Sequence, residues 1–200
     1  MAKLELFIQA LWVKVAAWAR LHRDRRGALA GAVSMAWGAA LTLGGCSEAM
    51  NWRVLPLGDS GWAAMMPCKP DAAQREISWP AGAATLEMRS CDAAGATYAV
   101  AWMHMGDAAQ AAATLALWRQ ASQRSAQASG ALLDPPWSVR GADVAQRWQG
   151  QGARGDGHAL AVSFGHVAMG PWLVQLARYG RQAPSTEVDA FWDGLTLQRR

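Results

Sequence analysis

The chain falls into stretches with two hydrophobic rhythms. Gly61 to Met66 is unbroken apolar sequence that stops at Pro67, which predicts a strand. Ala84 to Cys91 alternates, with Leu86 and Met88 on one face and Glu87 and Arg89 on the other. Thr97 to Met105 carries no charge, as a strand buried on both faces should. Pro80 to Gly82 and Ala93 to Gly95 supply turns. Then the period changes. Asp107 is expected to cap a helix, with Gln110 at the capping-box position. Ala111, Leu115, Trp118 and Ser122 share one face of that helix, which runs to about Ala128. Gly130 and Asp134-Pro135-Pro136 end it and open a long connection. Val144 to Gln149, His158 to Gly165 and Trp172 to Tyr179 predict three further strands. Ser185 caps a short helix whose buried stripe is Val188, Phe191, Trp192 and Leu195, and Leu195 to Gln198 closes the sheet. Strands, helix, strands, helix is the order of an α+β domain: an antiparallel sheet packed with one long and one short C-terminal helix.

That domain occupies residues 57 to 198, and what precedes it has another character. The whole chain of 200 residues is 52% apolar and 17% charged, which excludes both a disordered chain and a polytopic membrane protein. Its formal charge of +4 is concentrated at one end. Residues 1 to 26 hold six basic side chains against Glu5 and Asp24, while the remainder balances 13 basic with 13 acidic. The basicity therefore belongs to a leader, and no nucleic-acid partner is expected.

Arg25-Arg26 is followed by a charge-free run, Gly27 to Gly45, in the order of a secretory signal: positive flank, apolar stretch, small residues. Residues 1 to 20 put a second apolar run ahead of the arginines, so the true start is placed near Leu21, or the arginine pair serves twin-arginine export. The run ends in Leu43-Gly44-Gly45-Cys46, which resembles the bacterial lipobox. The resemblance implies cleavage after Gly45 and a lipid on Cys46, with residues 46 to 56 as a lipidated tether. Two or three acyl chains anchor a protein stably where one does not. Ser47 after the cysteine fits outer-membrane sorting better than inner-membrane retention. With Cys46 used by lipid, Cys68 and Cys91 remain, an even pair in an oxidising compartment. They are expected to form a disulfide, whose loop of about 24 residues contributes about 3.5 kcal/mol in the chain-entropy model.

Several short pieces of the domain resemble a known fold. Met66-Pro67-Cys68-Lys69-Pro70 follows the first strand, Cys91 ends the next clear one, and Ala168-Met-Gly-Pro-Trp-Leu-Val-Gln175 fills the last hairpin. With the terminal Phe191-Trp192 helix, they resemble uncharacterised proteobacterial lipoproteins of PsbP-like α+β fold. The resemblance covers most of residues 60 to 198 and carries no chemistry to transfer.

Several motifs carry candidate chemistry. Gly58-Asp59-Ser60-Gly61 is similar to the nucleophile blocks of Gly-Asp-Ser esterases and serine proteases. The partners are missing: Asn51 precedes the serine, Asp156 and His158 are one residue too close, and every histidine of the mature chain follows Ser60. Met103-His104-Met105, with Met65 and Met66, has the donor types that suit copper. Yet neighbours on a strand point to opposite faces, and methionine commonly fills cores. His158 and His166 stand at opposite ends of one predicted strand, about 20 Å or more apart, and are expected as lone surface histidines. The glycine-rich Gly150 to Gly157 lies between strands rather than before a helix, a poor phosphate cradle. Nine tryptophans follow residue 46. Trp102, Trp118 and Trp192 belong to predicted buried faces, whereas Trp62, Trp137 and Trp172 flank turns and, with His104, are the candidate contacts for a partner or ligand.

These observations predict a non-enzymatic interaction or assembly module of the cell envelope, held on a periplasm-facing membrane by the lipid on Cys46. It needs no cofactor and no resident metal, and its partner would be another envelope protein. The alternative is a ligand- or metal-binding protein using residues 102 to 105, and a third reading is a hydrolase at Ser60.

Overall fold

In a computed structural model the residues described are 50–80, 82–133, 136–153, 157–182 and 189–198. The leader and Cys46 lie outside them. Ten strands follow one another: β1 (Arg53–Pro56), β2 (Trp62–Met66), β3 (Asp71–Trp79), β4 (Gly82–Ala93), β5 (Ala96–His104), β6 (Ser129–Leu132), β7 (Val144–Ala153), β8 (Ala159–Met169), β9 (Trp172–Gly180) and β10 (Thr196–Leu197). Helix α1 (Ala108–Ser125) separates β5 from β6, and the short helix α2 (Asp189–Asp193) precedes β10. A single 3-10 turn, Gly58–Ser60, joins β1 to β2. The larger sheet has seven antiparallel strands in the order β3-β4-β5-β9-β8-β7-β6, and the smaller has three, β1-β2-β10.

This architecture corrects the α+β class expected from the sequence. Among the described residues strand makes up 55% and helix 18%, so the domain is mostly antiparallel β-sheet. The difference has a physical source in three strands the sequence pattern hides. β3, β6 and β1 are all edge strands. β3 carries Asp71, Gln74, Arg75 and Glu76 and buries only Ile77 and Trp79, as charged edge strands do. β6 is exposed throughout and contains Gly130, where a loop was expected. β1, expected as the end of the tether, finishes on Pro56, tolerable because an edge leaves some amides unpaired.

The strand register sorts side chains onto two faces. Trp102, Val100 and Tyr98 of β5 stand opposite Val174, Leu176 and Arg178 of β9, which in turn meet Val167, Gly165 and Ser163 of β8. This face is covered by the smaller sheet and α2. Leu57, Trp62, Ala64, Met66, Phe191, Trp192 and Leu195 form one buried apolar cluster with it. The other face presents Ala99, Ala101 and Met103 beside Leu173, Gln175 and Ala177, then Val162, Phe164 and His166. Helix α1 covers it through Ala111, Leu115, Trp118 and Ser122, the stripe expected from their spacing. Asp107 caps α1 by accepting from the Ala109 amide at 2.8 Å, and satisfies one of the donors a helix start leaves open.

Two features lock the smaller sheet and α2 in place. Cys68, two residues past β2, and Cys91 of β4 are paired with an S–S distance of 2.00 Å, as expected. Gly165 leaves room for two rings. A Cβ there would lie 2.8 Å from Trp137 and 3.2 Å from Trp192. The two indoles meet edge to face with centroids 6.2 Å apart, and the Arg147 guanidinium lies 4.2 Å from the Trp192 ring centre.

Two outcomes follow. Reducing the disulfide, or Cys91→Ala, lowers the unfolding free energy by about 3 kcal/mol, read from urea midpoints with and without reductant. Gly165→Ala overpacks the two indoles and lowers it by about 1–3 kcal/mol in the same assay, with a shift in tryptophan emission.

Candidate functional site

The largest concentration of polar chemistry inside the domain lies between α1 and the seven-stranded sheet. Three strands and one helix supply it. The register sets His166 of β8 between Gln146 of β7 and Gln175 of β9, and Ser122 comes down from the last turns of α1. His166 is 0%, Ser122 1% and Gln175 3% exposed. The strand pattern alone places His166 on the surface, and the structure buries it. A histidine in an otherwise uncharged strand carries no mark of what lies above it, and here that is Ser122 and the Trp118 ring, 6.0 Å away centre to centre.

The hydrogen bonds fix who donates. The Gln175 side-chain nitrogen (Nε2) donates to Ser122 Oγ at 2.6 Å and stands 3.0 Å from His166 Nε2. The Ser122 hydroxyl donates to the Trp118 carbonyl one turn back, at 2.9 Å. An amide nitrogen only donates, so His166 Nε2 is the acceptor and the ring proton sits on Nδ1. Nδ1 is buried without a partner. Burial, and secondly the positive charge of Arg119, lower the His166 pKa to about 3, so the ring is neutral at physiological pH. Arg119 is itself held on the sheet, Nη1 donating to Gln146 Oε1 at 2.7 Å.

A serine next to a histidine invites a nucleophilic reading, and the geometry argues against one. An activated serine gives its proton to the imidazole. Ser122 gives its own to a backbone carbonyl and lies 3.5 Å from Nε2. All three side chains are closed off from substrate. Their chemistry fits a joint between helix and sheet.

The other candidates resolve separately. Ser60 Oγ donates to the Leu57 carbonyl at 2.7 Å and accepts from the Trp62 amide at 3.1 Å, so it builds the turn in which it sits. Residues 102 to 105 do not converge. Trp102 is buried on the face of the smaller sheet and Met103 under α1, while His104 is exposed. The His104 ring lies against Trp172 at 4.7 Å, and its Nδ1 accepts from the Gly106 amide at 3.3 Å. Met66 is in the core. Among the described residues, no three His, Cys, Asp or Glu side chains gather as metal ligands would. Trp62 is buried in the core, its ring beneath Gly141, and Trp137 and Trp172 are half-buried beside the same core. Of the nine tryptophans from Trp52 to Trp192, six are buried and Trp52, Trp137 and Trp172 are half-buried; none is fully exposed. The exposed large apolar residues among the described ones are Val54, Leu132 and Leu197.

Compared with known proteins, the chain matches no family model, no curated sequence and no solved structure.

The polar joint yields its own expectation. Gln175→Leu removes the donor shared by Ser122 and His166 and leaves two buried acceptors open. It lowers stability by about 1–3 kcal/mol near pH 7, measured by thermal or urea unfolding.

Proposed function

We propose that this chain is a bacterial envelope lipoprotein, cleaved after Gly45 and anchored by a lipid on Cys46, whose β domain is a non-enzymatic interaction or assembly module. The observation that carries the reading is the position of Leu43-Gly44-Gly45-Cys46, at the end of a charge-free run that follows two arginines. The Cys68–Cys91 pair supports it, since paired cysteines suit an exported domain. The internal chemistry supports the non-enzymatic part. Ser60 serves its own turn, the Ser122 and His166 pair is sealed, and the side chains of residues 102 to 105 diverge. Outer-membrane placement follows from Ser47 after the lipidated cysteine.

The anchor is tested by fractionating cells that make the full chain and by intact mass of the membrane-extracted protein. The wild-type chain is expected in the membrane fraction, beginning at an acylated Cys46 and two hydrogens lighter than after reduction. Cys46→Ala is expected to abolish both lipid and cleavage. An unacylated wild-type chain that still carries residues 21 to 45 would overturn the reading.

A further inference from the structure

Helix α1 grips the sheet with little apolar surface. Of its buried positions, Ala111, Thr114, Leu115, Trp118, Ala121 and Ser122, only Leu115 and Trp118 are large. Beside the small Ala111 and Ala121 and the contact of Trp118 with the Trp79 ring at 6.4 Å, the grip is polar, Ser122 with Gln175 and Arg119 with Gln146. The main apolar cluster lies on the opposite face of the sheet and includes no residue of α1, so the helix can leave without opening it. The backbone turns through left-handed conformations just outside both ends of the helix, at Gly106 (φ 78°) and Gln127 (φ 47°).

His166 stands at the centre of this joint. A proton on Nε2 would face the Gln175 amide, donor against donor, and bring a charge into a space closed to water. The groups around it offer nothing to balance that charge. From α1 come Trp118, Ser122 and the like-charged Arg119. From β7 comes Gln146, from β8 Phe164, and from β9 Gln175, with the neutral Tyr179 phenol farther along against Phe164. None of them is a carboxylate. Lifting α1 relieves the conflict, because the imidazole then meets water.

We propose that α1 is an acid-loosened cover: protonation of His166 shifts the helix toward lifting off the apolar face formed by Met103, Leu173, Val162 and Phe164. The inference rests on the geometry of the joint and not on the lipid anchor.

The sign follows from linkage. The opened ring takes a proton from about pH 6.5, whereas the closed one resists until about pH 3. Opening is therefore insensitive to pH above about 7 and grows as pH falls through that window, by about a hundredfold between pH 7.5 and 4.5.

Hydrogen exchange of the folded protein, corrected for intrinsic exchange rates, tests this directly. Amides of α1 are expected to lose about a hundredfold in protection between pH 7.5 and 4.5, while amides of β5 and β9 keep theirs. In His166→Gln the α1 amides should change by less than about threefold over the same range. Loss of protection in α1 and the central strands together would mean that acid unfolds the whole domain, and it would overturn the proposal. So would an equal acid response in wild type and variant. Should His166→Gln fail to fold, ring-carbon NMR of His166 in the wild type decides. Exchange with a protonated open form that grows below pH 6 supports the cover, and a single unexchanging neutral signal down to pH 4.5 refutes it.

Discussion

A long strand built almost wholly of uncharged, largely apolar residues rests best where both of its faces are covered. β5 and β8 are such strands, and β9 is nearly one, with Arg178 as its single ion. They sit side by side in the middle of the seven-stranded sheet. Everything else in the domain answers that requirement. One face receives the smaller sheet and α2, the other receives α1, and the polar strands β3 and β6 fall to the edges where water reaches them. The order of elements along the chain, strands before and after each helix, is a consequence of covering one sheet twice.

The two covers differ in kind. On the face of the smaller sheet the contacts are apolar and aromatic: Phe191 meets Tyr98 edge to face at 5.2 Å, Trp192 packs with Trp137 over Gly165, and the disulfide ties the end of β2 to β4. Arg178 is accommodated there by Tyr98 and by the Gln182 carbonyl, which accepts from Nη1 at 2.9 Å. Under α1 a glutamine, a histidine and a serine take the place of apolar side chains in the middle of the interface. Such a joint depends on its partners being complete, because each buried polar group is costly once its mate is removed. It fixes one docking of the helix more sharply than apolar contacts would, and it concentrates the effect of pH at a single ring.

The central strands, the long helix with its Asp107 cap, and the Cys68–Cys91 pairing were legible in the sequence because each is written locally. Periodicity shows a buried face, a capping residue shows a helix start, and an even cysteine pair shows its own remainder. The edge strands were not legible. Asp71 to Trp79 reads as polar sequence, and only its pairing with β4 from Asp71 opposite Ser90 to Trp79 opposite Gly82 makes it a strand. Missing β1, β3 and β6 tilted the expected class toward α+β. The candidate site was hidden for a similar reason. Ser122, His166 and Gln175 lie 44 and 9 residues apart along the chain, and no spacing rule joins them. The strand pattern did separate Trp102, Met103 and His104, but it could not show that Trp62 is core while Trp137 and Trp172 are half-covered.

Chain geometry adds a constraint to the proposed anchoring. β1 begins at Arg53, so only residues 47 to 52 separate a lipid on Cys46 from the folded domain. Even fully extended, that stretch spans about 25 Å at most. Its last part is already held, for the Asn51 amide donates to the Pro67 carbonyl at 2.8 Å and Trp52 packs half-buried against the core.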